Sequence, residues 1–350
     1  MPVQTVLGPI DPSELGPTSM HEHCLTDATV WGNPPAHEEL PSDQRVTIEN
    51  LGFLRWNLES LEDNLRLDDP ELAARELGRL ARVPGAAIVD LTPGWGLGPR
   101  RTGELPAISR AAGVHIVAGC GFYVHDSHPD WAEGHSIESL TELLVGELRD
   151  GVEGTDVRPG IIGEIGTSDP PTDREWRIVR AAGRAGATTG TAVNIHVDPW
   201  GRHALAIIDA LLEEGLAADR IVISHVDSYF ALDGDYHRAI AETGAILEFD
   251  NFGLEYYTTR GGRLFRNRTD LERLEALGSL LADGLAAQIV LGVDVYVKAQ
   301  LRCYGGTGYD HLLTRIVPAL RTHFGGTEAM IDQMLVQTPR RLLDRPELTG

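Results

Sequence analysis

Two hydrophobic patterns alternate along the whole chain. Short apolar runs such as AAIVDL, HIVAG, RIVISH and QIVLG are typical of strands that are buried on both faces. The longer segments between them repeat apolar residues at helical spacing, and a glycine follows several of them as a helix stop signal. We predict eight strands, at residues 18–24, 86–92, 115–122, 160–168, 192–198, 220–227, 245–253 and 288–294. The clearest helices are predicted at 136–150, 172–190, 203–214 and 271–281.

Eight strands that alternate with helices in one uninterrupted series predict an α/β fold, the (β/α)8 or TIM barrel. An open, doubly wound sheet is the alternative. It is disfavoured because polar residues end strands throughout the series rather than near one switch point. No low-complexity tract or long Ser/Gly linker divides the chain, so we predict a single domain over residues 1–350.

Two segments interrupt this regular pattern. Residues 3–10, which include Gly8 and Pro9, predict a short N-terminal hairpin that plugs the barrel floor. A long connection, residues 26–68, follows the first strand and is rich in tryptophan, proline and asparagine. We predict a helix at 46–65 within this insertion, and we expect the insertion to cover part of the active-site mouth.

Composition narrows the class of partner. The net charge is −22 and the pI about 4.9, which argues against nucleic acid and anionic membranes because both require basic patches. No run approaches the ~18 apolar residues of a transmembrane helix, and MPVQTVLGPIDP lacks the features of a signal peptide. Cys24, Cys120 and Cys303 predict neither a disulfide framework nor a cysteine-type zinc site. We expect a cytoplasmic protein that binds a small molecule, with a homodimer left open.

The first predicted strand ends in Met-His-Glu-His. Alternate side chains of a strand point the same way, so His21 and His23 aim at one point. This pattern alone is weak, because two neighbouring histidines are as often core residues. The ends of four later strands add further candidates: Glu164, His196, His225 and Asp294. In a barrel these ends converge on one cavity, and together the residues predict a binuclear metal site.

Four imidazoles and two carboxylates suit two divalent cations, zinc first, with manganese, cobalt or nickel as alternatives. Glu164 stands where a bridging ligand is needed, and Asp294 can hold one ion while accepting a proton. Asp90 and Asp250 are predicted to be hydrogen-bond partners or structural residues, and Cys24 a packing residue turned away from the metals.

Long segments of the chain resemble the phosphotriesterase family of the amidohydrolase superfamily, and among its members the phosphotriesterase-related proteins. The shared stretches are VQTVLG, LGPTSMHEH, GVHIVAGCGFYV, GIIGEIGTS, SHVD, EFDNFG and YGGTGYDHLLTRIVPAL. The resemblance implies a metal-dependent hydrolase over essentially the whole chain. The family's metal ligands fall on the same six residues: His21, His23, Glu164, His196, His225 and Asp294.

One departure from the family pattern concerns the bridging ligand. Classical phosphotriesterases and related lactonases bridge their metals with a carboxylated lysine on the fourth strand. Here Glu164 stands at that position, as in the phosphotriesterase-related branch, and the chain's only lysine is Lys298. A glutamate supplies the bridging anion without carbon dioxide, so efficient organophosphate hydrolysis is not expected.

The predicted mechanism is attack by a hydroxide shared between two metals, with Asp294 as general base and then acid. The resemblance implies a carbonyl substrate: an N-acyl amino acid, an N-acyltaurine or a carboxylic ester. Lys298 and Arg302 are candidates for binding a sulfonate or carboxylate, and Tyr123 for lining the leaving-group pocket. For Lys298 an ion pair with Asp27 or Glu255 is the structural alternative; for Arg302 it is a surface or capping charge, and for Tyr123 loop packing.

Other functions stay open at the level of sequence. A lactonase or phosphotriesterase would use the same attacking hydroxide. A catalytically silent, ligand-binding barrel belongs to a different class of protein. It is disfavoured because a silent protein should have lost a ligand or the proton acceptor, whereas all six residues are present.

Overall fold

Eight parallel strands follow one another around a nearly closed barrel in the order of the sequence. The computed structural model describes residues 1–35, 37–152, 154–229, 231–260 and 263–348. The barrel strands are β1 (Thr18–Glu22), β2 (Ala87–Asp90), β3 (His115–Cys120), β4 (Ile161–Thr167), β5 (Val193–Val197), β6 (Ile221–Ile223), β7 (Ile246–Phe249) and β8 (Ile289–Leu291). Each lies within a predicted strand, so the predicted (β/α)8 fold is confirmed.

The last strand meets the first where the barrel closes. The backbone amide of Asp294 donates to the carbonyl of His21 at 3.0 Å. A Cβ atom at Gly292 would lie 2.8 Å from the Cβ of His21, so β8 can approach β1 this closely only without a side chain there. The pairing register shifts between Ser19 and Glu22 on β1 and between Ile162 and Ile165 on β4. These bulges lie beside the strand ends that carry candidate ligands.

Helices surround the barrel, and several of them begin at a polar side chain that caps the first turn. In order they are α1 (Leu51–Trp56), α2 (Pro70–Leu77), α3 (Leu105–Ala112), α4 (Ile137–Asp150), α5 (Asp173–Thr189), α6 (Ala204–Glu213), α7 (Gly234–Glu242), α8 (Asp270–Ala282), α9 (Val317–His323), α10 (Glu328–Asp332) and α11 (Thr338–Leu343). Thr172 and Glu175 form a capping box at α5, and Thr269 and Glu272 form one at α8. The four clearest predicted helices are confirmed as α4, α5, α6 and α8. No described helix is both long and apolar enough to span a membrane.

The N-terminal hairpin closes the barrel floor. Val3–Thr5 pairs antiparallel with Gly8–Ile10, as predicted. Val3 is fully buried in the cluster of side chains that fills the base of the barrel, where it joins Met20, Ile161 and Leu343. A second hairpin, Tyr257–Arg260 with Arg263–Arg266, stands between β7 and α8 and was not predicted.

The predicted helix at 46–65 is wrong in extent. Only Leu51–Trp56 is α-helical, after a short 3-10 turn, and the backbone leaves the helical region at Asn57 (φ −140°, ψ 55°). The Nδ2 atom of Asn64 donates to the carbonyl of Leu58 at 2.8 Å, which holds the following segment as a loop. Leu54, Leu58, Leu61 and Leu65 are all buried, so their helical spacing reflects packing of this loop over the barrel mouth.

Candidate metal centre

The six predicted residues meet at the carboxyl end of the barrel. Each is buried, none more than 7% exposed: His21, His23, Glu164, His196, His225 and Asp294. They form interlocking triads in which the potential ligand atoms all lie within 4.8 Å of one another. Strand alternation and barrel closure therefore bring together residues that are far apart in sequence.

One half of the site is built on β1 and the loop after β8. The Nε2 atom of His23 lies 3.2 Å from Oδ1 of Asp294 and 3.5 Å from Oε1 of Glu164. The Nε2 atom of His21 lies 3.7 Å from the same Asp294 oxygen. Within the described part of the chain this buried nitrogen has no hydrogen-bond partner, as expected for an atom reserved for a ligand other than protein.

The other half is built on β5 and the loop after β6. The Nδ1 atom of His196 lies 3.1 Å from Oε2 of Glu164, and the Nε2 atom of His225 lies 3.6 Å from that oxygen. The two imidazole nitrogens are 2.9 Å apart, so they aim at one point. Both halves therefore share Glu164: Oε1 lies towards His23, and Oε2 lies towards His196 and His225 and is also 3.6 Å from Nε2 of His21.

A single carboxylate orients one histidine of each half. Asp250 Oδ2 lies 3.0 Å from Nδ1 of His21, and Asp250 Oδ1 lies 3.0 Å from Nδ1 of His225. The backbone amide of His225 also donates to Asp250. The hydrogen bond from Nδ1 of His225 to this carboxylate leaves the lone pair of its Nε2 free, which is the tautomer that binds a metal, whereas Nδ1 of His21 makes a close contact without hydrogen-bond geometry. Asp250 is thus a hydrogen-bond partner, as predicted.

The backbone is unusual at two of the six residues. His225 and Asp294 adopt the left-handed region, with φ of 60° and 50°. Non-glycine residues adopt this conformation infrequently, and it is found most often where surrounding contacts impose it at functional sites. The turn after β6 and the turn after β8 thereby direct both side chains into the same cavity.

The electrostatics of the cluster favour added positive charge. Burial opposes ionisation of Glu164, but the charge of His21 and hydrogen bonds from His196 outweigh it and hold its pKa well below its usual range. Burial likewise opposes protonation of His225, yet Asp250 raises the pKa of His225 well above its ordinary value. Buried carboxylates thus stabilise cationic charge on the imidazoles, and divalent cations bound there would receive the same stabilisation. The donor set and its geometry fit metal ions.

Sequence reasoning missed a second polar layer beneath the cluster. Glu248 accepts hydrogen bonds from Asn194 (2.6 Å) and from Ser224 (2.6 Å), and its Oε2 lies 3.5 Å from Nδ1 of His21. The signal was present in EFD, because Glu248 on β7 and Asp250, directly after the end of that strand, are two positions apart and so point the same way. Asp90 is structural, since its carboxylate accepts from the amides of Cys24 and Thr92.

The predicted substrate-binding residues fall into two groups, one that lines the cavity and one that forms ion pairs outside it. Tyr123 lines the cavity, and its hydroxyl accepts a hydrogen bond from Nε1 of Trp31 (3.0 Å) and lies 3.4 Å from Nδ1 of His196. The Nζ atom of Lys298 instead lies 2.7 Å from Oδ1 of Asp63, and Arg302 Nε donates to Asp310 at 2.6 Å.

Neither Lys298 nor Arg302 is among the residues that line the cavity. The structure therefore favours the ion-pair alternative for Lys298, with Asp63 as its partner rather than Asp27 or Glu255. The physical reason is the loop after β8, where the amide of Lys298 donates to the carbonyl of Asn64 and ties the lysine to the insertion.

Comparison with known proteins identifies the family. The model of the phosphotriesterase family matches residues 1–343. The chain belongs to the phosphotriesterase family. Its similarity to human N-acetyltaurine hydrolase is 35% identity over 344 residues, which cover 97% of each chain.

Solved structures of the phosphotriesterase family show the same barrel. A resiniferatoxin-binding protein from Rhodobacter sphaeroides superimposes with a TM-score of 0.92 and 36% identity, over 98% of this chain and 95% of that one. A lactonase from Listeria monocytogenes gives a TM-score of 0.79 and 26% identity, over 98% and 99% of the two chains. With its cluster of potential ligands, this member of the phosphotriesterase family is a metal-dependent hydrolase.

Proposed function

We propose that this hydrolase holds two divalent ions and cleaves the carbonyl–nitrogen bond of an N-acyl compound or the corresponding bond of a carboxylic ester. The observation that carries the proposal is the position of Glu164 between two groups of histidines. One oxygen is 3.5 Å from Nε2 of His23, and the other is 3.1 Å from Nδ1 of His196. A carboxylate in this place can bind one ion through each oxygen.

In this proposal two groups of residues would hold the ions, His21, His23 and Asp294 in one group and His196 and His225 in the other, with Glu164 facing both groups. Imidazole and carboxylate ligands suit zinc first, with manganese, cobalt and nickel as alternatives. Two such ions would lower the pKa of a water molecule towards neutrality and polarise the scissile carbonyl.

Asp294 is the proposed proton carrier. Its carboxylate faces the cavity and is 3.2 Å from the ring of His23. The water oxygen forms a bond to the carbonyl carbon, Asp294 accepts the proton that the water loses, and the bond to the leaving nitrogen or oxygen breaks as Asp294 returns the proton to that atom. Tyr123 and Trp31 line the space beside the reacting group and exclude water from it.

The relatives support two substrate classes. Proteins named N-acetyltaurine hydrolase favour an amide substrate, and the named lactonase among the structural relatives favours a cyclic ester as the second candidate. A phosphotriester and a silent binding barrel remain the lesser alternatives. Retention of all six clustered residues argues against a silent barrel.

A combined metal and substrate experiment tests the proposal. Elemental analysis of metal-replete protein should give close to two divalent ions per chain. The same preparation should hydrolyse at least one member of a panel of N-acyl amines, N-acyl amino acids, aryl esters, lactones and paraoxon-type triesters. A chelator should abolish that activity, and added metal should restore it. One ion or none per active chain would contradict the binuclear proposal, and turnover of triesters alone would contradict the carbonyl substrate.

We further propose that the chain works as one catalytic domain in the cytoplasm, with a monomer and a homodimer as the two assemblies to be distinguished. Sedimentation of the purified protein measures the assembly, and limited proteolysis measures whether one or several folded units resist cleavage.

A further inference from the structure

The cavity above the clustered residues has a further carboxylate at its mouth. Glu59, from the insertion, lines the cavity together with Glu164 and Asp294, which belong to the proposed ion site. Of the described residues that line this cavity, none is a lysine or an arginine. Glu59 also lines an adjoining cleft, so it stands where the cavity opens away from the strand ends. A substrate bound with its carbonyl at the strand ends would extend its leaving group in this direction.

One oxygen of Glu59 is available to a ligand. Thr258 Oγ1 and Asn33 Nδ2 both donate to Oε2, the latter at 3.0 Å. In the part of the chain that the structure describes, no hydrogen bond ends on Oε1. Burial raises the pKa of Glu59 against the opposing effect of these two donors. A donor or cation supplied by a ligand would therefore replace solvation that this carboxylate has lost.

The walls around this carboxylate also suit a cation. Four aromatic side chains line the cavity: Trp31, Tyr123, Trp200 and Tyr296. The faces of such rings attract cations, and the guanidinium of Arg260 lies 5.7 Å from the centroid of the Trp200 ring. A sulfonate at this mouth would lie beside Glu59 without a lysine or arginine of the described lining to compensate its charge.

Arg260 is the cation of the adjoining cleft, and its charge is already matched. Its Nη1 and Nη2 atoms donate to the two oxygens of Asp198 at 3.0 and 2.8 Å. Asp198 is 1% exposed, so the carboxylate of this ion pair is buried and held in place. Binding an anion through Arg260 would require this bidentate pair to be shared or broken.

We propose that Glu59 selects substrates whose leaving group ends in an ammonium, and that this enzyme disfavours the sulfonate-ended leaving group of N-acetyltaurine, the substrate named for its curated relatives. The inference rests on the proposed carbonyl hydrolysis and narrows its substrate class. It assigns specificity to the insertion, a part of the chain that contributes none of the clustered residues.

Three amides with the same acetyl group and two-carbon spacer test the proposal. N-acetylethylenediamine ends in an ammonium, N-acetylethanolamine in a hydroxyl and N-acetyltaurine in a sulfonate. With the metal-loaded wild type, we expect kcat/KM to fall in that order, with at least a tenfold difference between the first and the last. Glu59→Gln keeps the shape and removes the charge. It should lower kcat/KM for the ammonium substrate about tenfold, mainly through KM, and affect the hydroxyl substrate less.

Two further variants separate recognition from structure. Glu62→Gln makes the same chemical change three residues away, on an exposed side chain that pairs with Arg66, and should leave the ranking unchanged. Thr258→Val removes a hydrogen bond to Glu59 but keeps its carboxylate, so the ranking should also survive it. If Glu59→Gln lowers activity on all three amides equally, Glu59 only holds the hairpin and the proposal is wrong.

The remaining outcomes also test the proposal. A preference for N-acetyltaurine that disappears in Arg260→Met would show that Arg260 reads an anion, and it would overturn the proposal. If none of the three amides is hydrolysed, and none of the acetate esters with the same three ends, the proposed carbonyl hydrolysis fails. Calorimetry can still rank the binding affinities of the same amides in that case, so the role of Glu59 is tested separately from the reaction.

Discussion

The strand ends of the barrel and the loops above them hold their polar groups in different ways. At the strand ends, histidine rings are fixed by further polar groups from neighbouring strands: Asp250 is 3.0 Å from Nδ1 of both His21 and His225, and Thr92 is 3.0 Å from Nδ1 of His23. Over the mouth, Glu59 is only partly buried and is held by Asn33 of the insertion and by Thr258 of the hairpin after β7.

This difference separates the residues expected to carry out the reaction from those expected to select the substrate. The strand-end residues are positioned by the sheet itself, which stays the same when a loop changes. The mouth is built from the insertion and the hairpin after β7, where the chain can change without disturbing the barrel. Substitutions at the strand ends should therefore affect every substrate alike, whereas substitutions at the mouth should change the order of preference among substrates.

The largest effect is expected from Glu164→Ala. It removes the carboxylate that lies between the two groups of histidines on the cavity side, so at least one ion per chain should be lost. Activity on every substrate should fall by at least the ~10²–10⁴-fold that a positioned acid or base contributes. Elemental analysis and kcat/KM measure both losses. Glu164→Gln is the control that keeps the shape while it removes the charge, and two ions with normal turnover in either variant would contradict the bridging role.

Asp294→Asn should come next. The side chain keeps its shape and one oxygen, but it can no longer accept a proton from water. We expect kcat to fall ~10²–10⁴-fold on amides and esters alike. Metal content must be measured on the same samples, because weakened binding would add to the loss. Near-normal kcat with both ions in place would mean that another group moves the proton.

Asp250→Asn should have a smaller effect, seen first in metal binding. Losing the charge that orients His21 and His225 should weaken metal affinity ~10–100-fold, the usual effect of such a hydrogen-bond partner. Asp90→Asn is a matched control, since Asp90 is equally buried but its carboxylate accepts from the amides of Cys24 and Thr92. Metal titration should separate the two variants; equal affinities would show that Asp250 only supports the fold.

The barrel and the cluster were predictable because both depend on local patterns. A buried parallel strand is a short apolar run, and its carboxyl end is marked by the polar residues that follow the run, as in RIVISH and QIVLGVD. Barrel topology then brings those ends together without any knowledge of side-chain packing. Glu248 was missed although it stands two positions before Asp250, because a single acid inside an apolar run gives no sign of which polar groups will satisfy it.

The mouth was not predictable for a physical reason. Leu54, Leu58, Leu61 and Leu65 repeat at helical spacing, yet only Leu54 is in a helix, because the asparagines at 57 and 64 satisfy backbone groups in a loop instead. Partners such as Glu59 and Thr258 are 199 residues apart, one on a loop of the insertion and the other on a hairpin that was not predicted. Charge pairing across such loops depends on tertiary contacts that a sequence pattern does not encode.

Lys298→Met should have the smallest effect on catalysis. It tests most directly whether substrate specificity belongs to the loops over the barrel mouth. The sequence predicted that this single lysine binds the anionic end of a substrate, whereas its Nζ atom lies 2.7 Å from Asp63 in the insertion. Burial raises the pKa of Asp63, but Lys298 and the amide of Val46 outweigh burial and lower it. Methionine keeps the aliphatic stem and breaks this partly buried pair, so stability should fall by about 1 kcal/mol. Asp63→Asn should give a similar loss, which denaturant unfolding measures.

Because Lys298 does not line the cavity, kcat/KM for the ammonium, hydroxyl and sulfonate amides should keep their ratios in both variants. A loss confined to the sulfonate amide in Lys298→Met would place an anion site at the loop after β8, and specificity would then no longer belong to the mouth alone.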